Sequence, residues 1–356
     1  MIDQLYAAAM RRRRERYAAR PDLRLRLRRP VISIGNIAVG GRGKTPIVEC
    51  VARLLLGMGE RPAILSRGYG RRRRAPGVVV VRDATGIRAD LERAGDEPLM
   101  LARRLPGVAV LVSANRYLAG RLAEHHLGAT VHLLDDGFQH LQLDRDLDLV
   151  VVTAEDLDPA ARTLPTGRLR EPPDVLIAAD AILAADDRVR WERPGDTPRL
   201  FRTRRTLHQA RTDRGEVTPG KAVAFAGIAD PPRFFEDLRA AGWMLVATAA
   251  FRDHHRFSRH DLATLMSRAR RGGAEVLLTT EKDYVRLLPY RPFERPIAWV
   301  PLTMEPDPLA EFRDWLAAQL RAARDELPPS ALAAPAALAE RERARRERAG
   351  VGPGEQ

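Results

Sequence analysis

The stretch VISIGNIAVGGRGKTPIVECVARLLLGM, residues 31–58, constrains the fold more than any other part of the chain. Apolar residues from Val31 to Ile34 read as a buried strand, a glycine-rich loop follows, and apolar residues recur at helical spacing from Ile47 to Met58. Within that strand, loop and helix, Ala38-Val39-Gly40-Gly41-Arg42-Gly43-Lys44-Thr45 matches the phosphate-binding loop pattern, with Ala38 where the first glycine is usual. Gly40, Gly41 and Gly43 let backbone N–H groups close around phosphate oxygens. The helix N-terminus favours negative charge, Lys44 reaches the β and γ phosphates, and Thr45 is placed to ligate Mg²⁺. Val39 to Thr45 are the expected nucleotide-binding residues.

The same alternation continues down the chain. Pro62–Gly70, Val108–Ala114, Val131–Asp136 and Leu147–Thr153 read as further buried strands. Continuous apolar strands separated by helices imply a parallel sheet covered on both faces. Between Pro159 and Gly220, proline, arginine and short polar pieces predict loops and a hinge. From Lys221 a second strand, turn and helix pattern begins, followed by MLVATAAF, a helix over Asp261–Arg271 and a strand over Glu275–Thr280. This predicts a smaller α/β unit from about Lys221 to Pro306, then one amphipathic helix over 307–326. The remainder, 327–356, is low in complexity. The boundaries expected are therefore 1–28, an N-terminal basic helix; 29–220, the nucleotide-binding unit with its linker; 221–326, the smaller unit with the C-terminal helix; and 327–356, a tail.

Composition narrows the class of partner. The 60 lysines and arginines outnumber 47 acidic residues, giving +13, so an anionic partner is expected: nucleic acid, an acidic membrane surface or a phosphorylated substrate. Aromatic residues make up only 5% and no basic stretch is interleaved with them, which argues against base stacking and a specific nucleic-acid partner. Cys50 is the single cysteine, which excludes an intramolecular disulfide framework and a CxxC metal cluster and fits a reducing, cytoplasmic compartment. No apolar run approaches the roughly eighteen residues a bilayer span needs. The N-terminus places its short apolar stretch before its arginines, the reverse of a secretory signal. Only Lys44, Lys221 and Lys282 are lysines; in so arginine-rich a chain a lysine marks a place for a compact point charge.

Phosphoryl transfer needs carboxylates near the loop, and the strand VHLLDD ends in Asp135-Asp136 before Gly137, at the carboxyl end of a strand where α/β sites gather. Asp96, in Gly95-Asp96-Glu97-Pro98, precedes an apolar helix and by position alone reads as its N-cap. His254 and His255 stand in a loop ahead of a helix of the second unit. The remaining histidines are scattered, so a metal triad is not expected.

Taken together, GNIAVGGRGKTP, SRGYG, GDEP, LLDDGFQH, GRLREP, DHHRF and TTEKD occur in the order and spacing of the tetraacyldisaccharide 4'-kinase family, which the chain resembles from about Val31 to Leu288. The resemblance implies a P-loop kinase with two α/β parts, ATP as co-substrate and Mg²⁺ as cofactor. The acceptor it implies is the 4' hydroxyl of tetraacyldisaccharide 1-phosphate, a lipid A intermediate at the cytoplasmic face of the inner membrane. It also implies roles: Asp96 as general base paired with His254, Lys44 on the γ-phosphate, Asp135, Asp136 and Glu171 with Thr45 at the metal, and Arg116, Arg170, Gln139 and Tyr69 toward the substrate. An aspartate at its ordinary pKa is a weak base at neutral pH, and a histidine partner orients and tunes it. Leu5, Tyr6, Ala7 to Met10 and the run Arg11–Arg14 then suit an interfacial helix, with apolar groups among acyl chains and arginines on anionic headgroups. Arg71–Arg74, after SRGYG, reads either as a grip on an anionic lipid or as an exposed loop. Lys282 reads equally as a nucleotide or interface contact and as a salt-bridge partner of its neighbours.

A regulatory GTPase is the other P-loop reading. It is disfavoured by the lack of an NKxD element, since Lys282 directly precedes Asp283, and by Asp135-Asp136-Gly137, which lacks DxxG spacing. An ATP-dependent kinase and a nucleotide-dependent protein acting at a membrane surface remain the two expectations.

Overall fold

The computed structural model describes residues 2–41, 43–73, 76–191 and 198–326. Arg42, Arg74 and the 327–356 tail of the sequence reading lie outside the described residues.

A ten-stranded sheet organises the larger part. Its spatial order runs Leu302–Asp307, Arg199–Leu207, Ala181–Ala184, Leu147–Val152, Val31–Asn36, Val131–Asp135, Pro62–Ser66, Ala109–Val112, Val79–Asp83, Gly86–Ile87. The seven inner strands are parallel, and only the edges pair antiparallel. Alternation along each strand explains why both faces are covered. Leu147, Leu149 and Val151 enter one core with Ile32, Ile34, Ile47 and Leu55, while Val150 and Val152 enter another with Ile37 and Phe138. Each such Leu, Ile or Val contributes about 1.5–3 kcal/mol by leaving water.

A six-stranded sheet forms the smaller part, ordered Gly215–Glu216, Arg211–Thr212, Ile297–Val300, Val276–Thr280, Lys221–Ala226, Met244–Ala250. Helices Pro231–Ala240 and Arg259–Gly272 close its faces, each started by a side-chain cap, from Asp230 and Ser258.

Two regions differ from the sequence reading. The proline- and arginine-rich 159–220 segment contributes two strands of the large sheet, Ala181–Ala184 and Arg199–Leu207. Arginines at 202, 204 and 205 break the apolar pattern that marks a buried strand, because this strand lies next to the sheet edge. After Val300 the chain returns to the large sheet: Leu302–Asp307 pairs antiparallel with Arg199–Leu207, and Phe312, Leu316 and Leu320 of helix Leu309–Asp325 enter the large core. The C-terminal helix thus packs on the larger part, although the sequence groups it with the smaller.

Candidate active site

The strand Val31–Asn36 lies between Val131–Asp135 and Leu147–Val152, so the loop that follows it and the Asp135-Asp136 step emerge side by side. Gly43 adopts φ 84°, and a Cβ there would stand 2.3 Å from Met304 Sδ; only glycine fits. Ala38 takes the usual glycine position without strain because its backbone bridges Leu169 in extended form. Val39 N donates to Arg168 O at 2.8 Å, and Arg170 N to Ile37 O at 2.6 Å. The GRLREP segment therefore lies along the loop, and Gly41 faces Ala229 of the smaller part.

Lys44, first residue of helix Lys44–Gly57, donates through Nζ to Asn36 Oδ1 at 3.0 Å and to Asp136 Oδ1 at 2.6 Å. Arg170 Nη1 donates to both Asp136 oxygens, at 2.9 and 2.8 Å. Burial works against the Asp136 charge, but Lys44 and Arg170 outweigh it and hold its carboxyl down at about 2. Asp136 itself has φ 58°, a left-handed backbone that turns its side chain toward these cations. Asp135 differs. It is buried, its hydrogen bond from Ser66 Oγ is long at 3.4 Å, and burial with the charges of Glu97 and Asp136 pushes its carboxyl well above the ordinary range. Thr45 is half-buried in the first turn of the same helix as Lys44. Arg116 begins helix Arg116–His126 and is buried; burial and Arg67 bring its guanidinium down to about 10, while Asp136 and Asp135 pull the other way.

The second cluster spans the two parts. Asp96 is not an N-cap: Gly95, at φ 88°, precedes it, and Asp96 is the first residue of helix Asp96–Arg104. Its Oδ1 accepts from Glu97 N at 2.9 Å. Its Oδ2 lies 3.1 Å from His254 Nδ1 and accepts from Arg286 Nε at 2.7 Å and from Arg286 Nη2. Burial opposes ionisation of Asp96, yet His254, Lys282 and Arg286 hold it well below the usual carboxylate range. His254 has φ 56°, and its N–H lies 3.2 Å from Gly227 O and 2.9 Å from Asp253 Oδ1. Lys282 Nζ donates to Glu97 Oε1 at 2.8 Å and sits 3.3 Å from His254 Nε2. The Tyr69 ring, largely exposed, meets the His254 ring edge-on at 5.1 Å.

Glu171, grouped by sequence with Asp135 and Asp136, is linked to Asp136 through Gln139 and Arg170. Its oxygens accept from Arg14 Nε at 2.6 Å and from Arg14 Nη2 at 2.8 Å, and Gln139 Nε2 adds a bond at 2.9 Å. Arg14 also lies over the Phe138 ring at 4.0 Å. Gln139 bridges Glu171 to Asn36 O, 2.9 Å away. Sequence reasoning missed Arg286, Glu97 and Asn36, and it turned Arg14 toward lipid headgroups, whereas the structure pairs it with Glu171. One signal was available for Arg286: it stands four residues after Lys282, on the same helical face.

A phosphate loop at the carboxyl end of a central parallel strand, beside a carboxylate pair, defines a P-loop α/β protein. The family model described as Tetraacyldisaccharide-1-P 4'-kinase matches residues 1–321, and the chain belongs to that family. The chain is similar to the tetraacyldisaccharide 4'-kinase of Geobacter metallireducens, 39% identical over 80% of this chain and 86% of the relative. It is similar also to that of Anaeromyxobacter dehalogenans, 43% identical over 73% of each. Among solved structures, the apo form of LpxK from Aquifex aeolicus in complex with ATP superposes with a TM-score of 0.74 at 31% identity, covering 90% of this chain and 97% of that one.

Proposed function

We propose that the chain transfers the γ-phosphate of ATP to the 4' hydroxyl of tetraacyldisaccharide 1-phosphate in lipid A biosynthesis. Family membership supports the reaction. The observation that carries it in the geometry is the Asp96–His254 contact, built from the two parts of the molecule beside the phosphate loop.

In this reading the loop backbone and Lys44 hold the phosphates, and Lys44 exchanges Asp136 for the γ-phosphate when nucleotide arrives. Asp96 takes the proton of the 4' hydroxyl as the bond from that oxygen to phosphorus forms and the bond to the leaving ADP breaks. His254 orients Asp96. The fit to Mg²⁺ rests on Thr45, Asp135 and Asp136, hard oxygen donors beside the loop; the buried Asp135 carboxyl stays raised in spite of Lys44 and Arg116, and a divalent ion held there would favour its charged form. Held by these residues, the ion would neutralise phosphate charge. Glu171 serves the fold instead. Arg116, with Tyr69 and Arg170, faces the acceptor side.

A cavity of about 920 Å³ supports the lipid acceptor: it is lined by Arg12, Arg13 and Arg16 of the N-terminal helix and by Leu23, Leu25 and Tyr117, cations beside apolar wall. Ile2 and Leu5 on the same helix are exposed, 58% and 68%, suiting the helix Ile2–Ala19 to lie in the interface of the inner membrane's cytoplasmic leaflet. No helix among the described residues is long and apolar enough to cross a membrane. The test is transfer of labelled γ-phosphate from ATP to tetraacyldisaccharide 1-phosphate in detergent with Mg²⁺. Label in the lipid with the wild type, slowed at least about a hundredfold with Lys44→Ala, is the expected result; ATP turnover with unlabelled lipid would overturn the acceptor.

A further inference from the structure

The groups around the His254 ring make conflicting demands on its proton. From helix Asp96–Arg104 come Asp96 and Glu97, from helix Glu281–Leu287 come Lys282 and Arg286, from its own loop Asp253, and from the 66–70 loop the edge of Tyr69. Nδ1 has Asp96 Oδ2 at 3.1 Å and Arg286 Nη2 at 3.4 Å; Nε2 has Lys282 Nζ at 3.3 Å and Asp253 Oδ2 at 4.0 Å. Ammonium and guanidinium groups only donate, and an ionised carboxylate only accepts.

Consider the ring with its proton on Nε2. That N–H would point at an ammonium, and the Nδ1 lone pair would oppose the lone pairs of Asp96 Oδ2. The compensating bond from Arg286 Nη2 would be 3.4 Å long, beyond the ordinary range, and Asp253 at 4.0 Å is too far to accept. With the proton on Nδ1, both closest contacts are donor to acceptor: Lys282 donates to Nε2, and Nδ1 donates to Asp96 Oδ2. Lys282 stays an ammonium: burial works against its charge, but Glu97, Asp96 and Asp253 outweigh it and raise it above the ordinary lysine value.

We infer that Lys282 is a positioning residue for the transfer, fixing His254 as the Nδ1–H tautomer so that Asp96 Oδ2 is committed to His254 and Arg286 and Oδ1 faces the acceptor hydroxyl. This rests on the reading of Asp96 as base. Oδ2 receives three donors, whereas Oδ1 receives the Glu97 N–H and keeps a lone pair for the incoming proton. The left-handed backbone of His254 is in keeping, since a non-glycine residue is held in that conformation only where its surroundings determine its position.

The experiment is a two-bond ¹H–¹⁵N correlation on the full chain with ¹⁵N-labelled histidine, above the ordinary histidine titration range, with His254→Asn assigning the resonance. Wild type is expected to show Nδ1–H. Lys282→Met is expected to give a measurable Nε2–H share, opposed then by Asp96 alone, and to lower kcat severalfold, with KM for ATP changed less than about twofold. Lys282→Arg, which also only donates, is expected to keep the Nδ1–H signature and restore most of kcat. Should Lys282→Met fail to fold because Glu97 loses its partner, Lys282→Met with Glu97→Gln carries the tautomer measurement. A wild-type ring with Nε2–H, a tautomer unmoved by Lys282→Met, or a moved tautomer with unchanged kcat each overturns the inference. Failure of the underlying reading looks different: Asp96→Asn would retain wild-type kcat whatever the spectrum of His254.

Discussion

Truncating Arg14 to alanine tests what Glu171 does. The Glu171 side chain is 1% exposed and that of Arg14 14%, so the pair is shielded from water. Removing one partner of a buried ion pair costs about 3–5 kcal/mol, because the other charge is left uncompensated. Gln139 still donates one bond to Glu171, which favours the lower end; the lost stacking over Phe138 and the lost bond to Phe138 O, 3.1 Å in the native state, add to it without being strictly additive. Ties that remain are Arg11 to Asp174, where both are exposed, Arg13 to Gln139 O at a long 3.2 Å, Thr163 Oγ1 to Asp3 O at 2.7 Å and Arg24 Nε to Tyr17 O at 3.0 Å, each able to hold only its own end of the helix. Undocking of Ile2–Ala19 should therefore become easier by about 3 kcal/mol, on the order of 10²-fold faster amide exchange along the helix.

Native-state hydrogen exchange of Arg14→Ala, Glu171→Gln and the double variant reads this directly. The double variant should cost less than the sum of the singles, with a coupling of about 1–3 kcal/mol. If Glu171 instead ligated a metal, Glu171→Gln would raise the Mg²⁺ requirement and leave helix exchange unchanged. That pattern, or an Arg14→Ala effect below about threefold, which is under 1 kcal/mol, refutes the reasoning.

Other perturbations separate the remaining roles. Lys44→Ala should lower kcat by about 10²–10³-fold, the scale for removing one charge-stabilising donor, and a smaller loss in the transfer assay would move phosphate stabilisation elsewhere. Asp96→Asn should lower kcat by about 10²–10⁴-fold with KM for ATP unchanged; an equal rise in KM would make it a binding residue. Asp135 is raised in the folded state, so its ionisation costs stability: the penalty is absent below the ordinary carboxylate range and grows as pH rises toward the raised value. In metal-free buffer at neutral pH, Asp135→Asn should melt higher by about 1–2 kcal/mol of stability, with the gap closing on acidification; a lower melting temperature at neutral pH counts against this. Leu5→Asp should weaken binding to anionic vesicles by about tenfold or more, the value of one buried leucine, and unchanged partition would remove the helix from the interface.

The parts of this molecule that were legible in the sequence are those where one local rule applies. A buried parallel strand is predominantly apolar, and so Val31–Asn36, Val131–Asp135 and Leu147–Val152 stand out; the loop is legible because glycine, lysine and threonine sit at fixed offsets. Arg199–Leu207 was not legible, since a strand one place in from the edge tolerates arginines on its exposed side. The pairing of Glu171 with Arg14 was not legible, because the two lie 157 residues apart and a spacing of that kind leaves no local trace. Asp96 reads as a base only through resemblance, because its position alone gives the same residue type as a helix cap.

The placement of Lys282 and Arg286 depends on a helix shared by both cores. In Glu281–Leu287, Val285 enters the large core beside Leu99 and Leu101, whereas Tyr284 and Leu287 enter the small one with Phe225 and Phe257. The helix is therefore fixed from two sides. Lys282 and Arg286 can face the gap only because the residues between them anchor in opposite directions, and Thr280 caps the helix by accepting from Asp283 N at 3.2 Å. Covalently the smaller part joins the larger through neighbouring crossings, with His208 N donating to Pro301 O at 2.9 Å and Leu207 paired with Leu302. Such a connection is a narrow hinge and fixes little by itself. Hence the relation of Asp96 to His254 is set chiefly by packing of the shared helix, and Val285→Ala should disturb it without touching a reacting group. We expect a loss of about 1–3 kcal/mol in stability together with a fall in kcat that exceeds the fall in ATP affinity. If stability falls while kcat holds, the geometry of the pair is fixed elsewhere.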